Sequence, residues 1–307
     1  MNLSLEYKLE VRDALLERRK NFGGTDAQFA KIYGLSGAIF SRLNKGEIEK
    51  IISDSQFLSI GRELDINLRK EKWNVVRTKV YENIEQSIKF CQEFSSSMIL
   101  VDDCGIGKTY SAKNIVKTLK NAFYVDCSQA KSKQQFIKLL AKTVGIDPKG
   151  KYVDVKANLK YYLIQLQKPV IILDEAGDLE YTAFLEQKEL WNATDGFCGW
   201  YMMGADGLKA KIEKGINSKK VGFAEIFSRF SDEYIKLTPN GVDDKIAFRN
   251  ELLTQVATAN AKDRSNVPEL VKKCMKKEAT LRHLDTLIKI EPSIKQQLFN
   301  KIPHLIY

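Results

Sequence analysis

Between Met98 and Ala205 the chain alternates short apolar runs with longer amphipathic stretches. The runs are MILVD (98–102), AFYVDC (122–127), PVIILDEA (169–176) and GWYMMGA (199–205). Each is short and continuously apolar, which predicts a strand buried on both faces. Between them, TYSAKNIVKTLK, SKQQFIKLLAKTVG and VKANLKYYLIQLQ place apolar residues every three or four positions. That spacing predicts helices with one buried stripe. Strands alternating with helices predict a parallel sheet covered on both sides.

On either side of this region the pattern is purely helical. Residues 1–68 read as short helices, with Thr25 and Ser53 as N-caps and Gly46 as a stop. After Pro239, DDKIAFRNELLTQVATANA, VPELVKKCMKKEA and TLRHLDTLIKI read as helices. The expected organisation is an all-α N-terminal domain at 1–68, a helical connector at 69–97, an α/β nucleotide-binding domain at 98–240 and a helical lid at 241–307. LKAKIEKGINSKK (208–220), polar and glycine-bearing, is expected to be mobile.

Within the N-terminal region, TDAQFAKIYGLSGAIFSRLNKG has the spacing of a helix-turn-helix. Ala30 is the small residue at the helix crossing, Gly34 makes the turn, Leu35 plugs the core and Ser36 caps the second helix. Ile39 and Leu43 are expected to face inward. Gly37, Ala38, Ser41 and Arg42 would then face a major groove.

Composition narrows the class. No apolar run approaches the ~20 residues of a membrane span. The charged N-terminus lacks the apolar core of a signal peptide, so none is expected. Cys91, Cys104, Cys127, Cys198 and Cys274 are far apart, odd in number and form no CxxC pair. A reduced, cytoplasmic setting fits them best, and a zinc site is not expected. The net charge of +10 is compatible with a polyanionic partner. Residues 1–71 hold 12 basic and 11 acidic side chains, net +1, which leaves +9 for the rest of the chain.

The strand MILVD runs into DCGIGKTYSAKN. Gly105 and Gly107 would let backbone approach a phosphate chain, and successive N–H groups from Cys104, Gly105, Ile106, Gly107, Lys108, Thr109 and Tyr110 would hold its oxygens. Lys108 would reach the β- and γ-phosphates of ATP, and the Thr109 hydroxyl would meet Mg²⁺. The phosphate-loop pattern expects a glycine five residues before Gly107, where Asp102 stands. In PVIILDEAGDLE a strand delivers Asp174 and Glu175 to the edge where open α/β sheets gather their ligands. Asp174 would hold Mg²⁺ and Glu175 would polarise the attacking water.

The loop, the carboxylate pair, the strand between them and the helical C-terminus together resemble the AAA+ ATPase superfamily over roughly residues 73–307. More closely, the chain is similar to transposon target-selection helper ATPases of the phage Mu B type, which also join a small helix-turn-helix to such a module. The resemblance implies an α/β parallel-sheet P-loop ATPase domain with a C-terminal lid, preceded by the all-α domain. FAEIFSRFSDEY matches the segment carrying the arginine finger, which points to Arg229. EATLRHLDTLIK matches the second sensor, which points to Arg282. The first sensor is commonly a polar residue after WYMMG, where this chain has Ala205 and then Asp206.

The positive excess concentrates in KSKQQFIKLLAKTVGIDPKGK (131–151), with six lysines against one Asp. In assemblies of this type the region lines the central channel, so Lys131, Lys133, Lys149 and Lys151 would track a duplex DNA backbone through phosphate contacts. The resemblance implies a DNA-stimulated ATPase that self-associates into a filament or ring on DNA and activates a transposase. A helicase-loader type of replication helper and a helix-turn-helix transcriptional regulator with an ATP switch are the competing readings.

Overall fold

A computed structural model describes residues 3–64, 66–67, 73–277 and 279–290. The chain divides into two compact units. The first draws on Met1–Glu71, Glu85–Val101 and Ala112–Ile235, the second on Lys72–Ile84, Asp102–Ser111 and Lys236–Tyr307.

The first unit is built on a five-stranded sheet: β1 (Ser97–Val101), β2 (Ala122–Asp126), β3 (Val170–Asp174), β4 (Gly199–Gly204) and β5 (Tyr234–Ile235). All pairings are parallel, in the order β2-β3-β4-β1-β5. Every residue of β3 and β4 is buried, which is why their sequences are apolar without alternation. In β5, Tyr234 and Ile235 pair with Ile99 and Leu100 of β1. Two residues are too few to leave a periodic signal, and the sequence pattern does not reveal them.

Four helices make the N-terminal segment: α1 (Leu5–Lys20), α2 (Asp26–Ile32), α3 (Gly37–Asn44) and α4 (Asp54–Glu63). Thr25, Ser36 and Ser53 cap α2, α3 and α4 through their hydroxyls. On α3 Leu43 is buried as expected, Phe40 is buried beside it, and Ile39 packs partly covered against the same core. Ala38, Ser41 and Arg42 are exposed, and Gly37 is half-buried against Ala27.

Then follow α5 (Lys79–Phe94), α6 (Lys108–Ile115), α7 (Lys133–Val144), α8 (Tyr152–Gln165), α9 (Tyr181–Ala193), α10 (Asp206–Asn217) and α11 (Phe223–Arg229). The stretch expected to be mobile is in fact mostly α10. Its Leu208 and Ile212 are fully buried, and that burial orders a segment whose surface composition is polar.

The N-terminal helices share one apolar core with the sheet and its helices. Phe22 lies where a Cβ on Gly145 would be, at 2.6 Å, and Gly145 holds φ +100°, a conformation that favours glycine. The Asn121 N–H donates to the Asn21 carbonyl at 3.0 Å, the Asn21 amide donates to the Lys117 carbonyl, and Lys142 pairs with Glu63 at 2.6 Å.

In the second unit, α12 (Val242–Asn260), α13 (Val267–Lys276) and a helical stretch at 281–290 bury Leu253, Ala257, Leu270, Cys274 and Leu284. Asn74 ties its own segment to α12, with its N–H on Asn260 Oδ1 and its side-chain amide on the Ala259 carbonyl, both at 2.7 Å. No helix among the described residues is long and apolar enough to cross a membrane.

Candidate nucleotide site

The loop between β1 and α6 belongs to the second unit. Gly105 and Gly107 hold φ +74° and +104°, in the left-handed region where a Cβ would be strained. They turn the chain sharply just before α6 opens at Lys108, so the backbone N–H groups of a helix start follow directly. Lys108 Nζ donates to the carbonyls of Asp102 at 2.6 Å and Asp103 at 2.7 Å, which folds its ammonium back over the loop. Thr109 follows on the first turn of α6. Tyr110 is exposed, and its hydroxyl donates to the Trp73 carbonyl at 2.9 Å. Cys104 is an exposed free thiol.

Asp102, the departure from the loop pattern, is buried and fully used. Its Oδ2 accepts the N–H groups of Leu237 at 2.6 Å and Thr238 at 2.8 Å, and its Oδ1 accepts the Asp103 N–H at 2.7 Å. A glycine could make none of these bonds. The residue therefore exchanges loop freedom for an anchor on the segment leading into the lid. Asp103 makes a second tie, to Lys245 of α12 at 2.8 Å. That hydrogen bond, with the further charges of Lys236 and Arg249, holds the Asp103 carboxyl below its usual range. A third tie is the Leu281 N–H on the Gly105 carbonyl at 3.1 Å.

A pocket opens beside the loop. Asp103, Cys104, Gly105 and Ile106 line one side; Thr238, Lys245, Phe248, Arg249, Leu252, Leu253 and 279–281 line the rest. Lys245 and Arg249, one turn apart on α12, are the lid cations that reach it, and the sequence reading missed them. Their signal was only an i, i+4 pair of basic residues, common on any surface helix. Arg282 is exposed on the 281–290 helix and does not line this pocket.

The carboxylate pair belongs to the first unit. Asp174 ends β3, almost fully buried. Its Oδ2 accepts the Tyr124 hydroxyl at 2.7 Å and its Oδ1 accepts the Glu175 N–H at 2.9 Å. Burial first, then the charge of Asp174, pushes the Tyr124 phenol up, so it stays a donor. Glu175 is exposed and stands at φ 49°, ψ 39°, a left-handed conformation uncommon for a side-chain-bearing residue. Such strain persists only where the surroundings fix it. After β4, Ala205 is the N-cap of α10 without a capping side chain, and Asp206 stands in its first turn.

Arg229, at the end of α11, is half-buried over the Trp191 ring at 5.3 Å. It donates from Nε to Asn192 Oδ1 at 2.7 Å and from a terminal nitrogen to the Glu225 carbonyl at 2.8 Å. Among the basic residues read as DNA contacts, Lys149 and Lys151 are exposed. Lys131 pairs with Asp178 at 3.6 Å, and Lys133 lies 5.9 Å from the centre of the Tyr152 ring. On α3, Ser41 is exposed and Arg42 is paired with Glu47 at 2.8 Å.

Mg²⁺ suits the oxygen donors proposed for it, the Asp174 carboxylate and the Thr109 hydroxyl, because this ion keeps waters and phosphate oxygens rather than an all-protein cage. No group of three or more His, Cys, Asp or Glu able to hold a metal occurs among the described residues.

Residues 93–212 match the family described as AAA domain. A search of curated proteins finds no match. Among solved structures the chain is similar to NtrX from Brucella abortus in complex with ATP, at 13% identity and a TM-score of 0.44, over 83% of this chain and 59% of that one. The chain thus spans about three fifths of the length of the NtrX chain. The segment 93–212 is thus similar to a AAA domain, and it contributes β1 to β4 to a five-stranded parallel sheet with the AAA+ P-loop ATPase fold.

Proposed function

We propose that this chain hydrolyses ATP, binds duplex DNA by self-associating on it, and serves transposition by selecting target DNA and stimulating a partner transposase. The observation that carries the ATPase reading is the loop itself. Two glycines in left-handed conformations lead directly into the start of α6 and Lys108. This is the backbone arrangement that cradles a phosphate chain. Lys108 would turn from the carbonyls of Asp102 and Asp103 to the β- and γ-phosphates. Thr109 and Asp174 would hold Mg²⁺, which when bound neutralises charge on the phosphates. Glu175 would take the proton of the attacking water. Arg229 would leave Asn192 and the Glu225 carbonyl to reach a neighbouring subunit's γ-phosphate, which links hydrolysis to assembly.

The DNA half of the reading is supported by the exposed Lys133, Lys149 and Lys151 and the exposed Ala38–Ser41–Arg42 face of α3. The transposition half rests on the sequence resemblance alone. Electron microscopy with duplex DNA, with and without a slowly hydrolysed ATP analogue, tests the whole. Filaments or rings only with the analogue, on any sequence, are the expected result. A tight footprint on one operator without nucleotide would replace this reading with a transcriptional regulator. ATP-dependent loading of a helicase with no effect on a transposase would replace it with a replication helper.

A further inference from the structure

The turn that follows the carboxylate pair is held from α10. Lys211 donates to the carbonyl of Gly177 at 2.7 Å and to that of Leu179 at 2.5 Å. Its ammonium lies 5.4 Å from the centre of the Phe184 ring. Gly177 itself sits on the first turn of α10: a Cβ there would lie 3.2 Å from the Leu208 nitrogen and 3.3 Å from its Cα. The turn is thus pressed against α10 by its backbone and tied there by one side chain.

We propose that Lys211 is a positioning residue for hydrolysis, fixing the 175–179 turn so that the Glu175 carboxylate is presented to the attacking water. This rests on the ATPase reading above. Glu175 occupies a sparsely populated backbone conformation, and something must hold it there. On its N-terminal side Asp174 is pinned by Tyr124. On its C-terminal side the two carbonyls converge on Lys211, and the Glu180 N–H donates to the Lys131 carbonyl at 2.9 Å. Half-burying an ammonium is costly unless its hydrogen bonds are made. Here burial pulls the Lys211 pKa below its ordinary value, while Asp178 and Glu180 counter that and Lys131 and Lys220 add to it. Lys211 also lies on the helix that begins just after Ala205, where a polar sensor was expected and is missing. The same helix reaches the catalytic turn by another residue.

The test compares wild type, Lys211→Met, Lys211→Arg and Glu175→Gln, with ATP affinity and single-turnover hydrolysis measured separately. Met keeps the stem and removes the ammonium. A misplacement of ~1 Å can cost about 100-fold in rate. Lys211→Met should therefore slow hydrolysis by at least about tenfold while ATP affinity changes less than about twofold. Lys211→Arg should recover most of the rate. Adding Lys211→Met to Glu175→Gln should slow hydrolysis no further, because both act through one carboxylate. If Lys211→Met does not fold, Lys211→Gln takes its place, since its amide still donates to one carbonyl; a loss of at least about fivefold is then expected. Wild-type turnover in the folded Met or Gln variant, with Glu175→Gln inactive, overturns the role of Lys211. Wild-type turnover in Glu175→Gln overturns the ATPase assignment of the turn instead.

Discussion

Restoring the missing loop glycine by Asp102→Gly should damage the protein rather than repair it. The Asp102 carboxylate is buried, and its Oδ2 accepts two backbone N–H groups, from Leu237 and Thr238. Thr238 is itself buried, so its N–H has no ready replacement from water. A hydrogen bond to a charged acceptor contributes roughly 1.5–3 kcal/mol, so losing the two from Leu237 and Thr238 alone costs about 3–6 kcal/mol. The added chain freedom of glycine costs up to about 1 kcal/mol more. At roughly 2–4 °C per kcal/mol for a chain of a few hundred residues, thermal unfolding should fall by at least about 6 °C. Asp102→Asn keeps one acceptor oxygen and should lie between the two, about 1–3 kcal/mol below wild type. The assay is thermal denaturation followed by circular dichroism without nucleotide. An Asp102→Gly protein that melts with or above wild type would refute the anchoring role and make Asp102 an ordinary loop residue.

Lys108→Ala should abolish ATP binding, as read by fluorescent nucleotide titration, because it removes the cation that faces the phosphates; normal binding would discard the loop reading. Glu175→Gln should retain ATP binding and lose at least about 100-fold in turnover, the contribution typical of a positioned general base. The Asp103–Lys245 pair sets a pH dependence. Because the folded carboxyl titrates below its unfolded value, its stabilisation is present at neutral pH and lost as pH falls through the folded pKa. Lys245→Met should therefore move acid unfolding to higher pH and speed release of bound ADP; an unchanged acid midpoint would remove the tie from the stability of the lid. Replacing Lys131, Lys133, Lys149 and Lys151 together by alanine should weaken binding equally on all duplex sequences. The log–log salt slope should flatten by about 0.9 for each lysine that no longer neutralises a phosphate. An unaltered slope would take this segment off the DNA path.

The candidate phosphate loop and carboxylate pair could be named from the sequence because their signals are local. A glycine loop between a strand and a helix, and a carboxylate pair ending an apolar run, need only neighbours in the chain to be read. The four long strands and the N-caps Thr25, Ser36 and Ser53 were legible for the same reason, since periodicity and capping act over a few residues. Whatever depends on distant chain segments was decided by tertiary structure. The sequence left Asp102 as an anomaly; the buried N–H groups of Leu237 and Thr238 explain it. Polar composition suggested mobility at 208–220, but burial of Leu208 and Ile212 orders α10 and brings Lys211 to the turn of Glu175. Residues 1–68 read as a separate unit, yet Phe22 packs on Gly145 and Asn21 binds the chain at Lys117 and Asn121. Lys245 and Arg249 looked like any basic pair on a helix until the fold brought them to the loop pocket. Backbone patterns are set by sequence neighbours, whereas the partners of a buried charge are chosen by the fold.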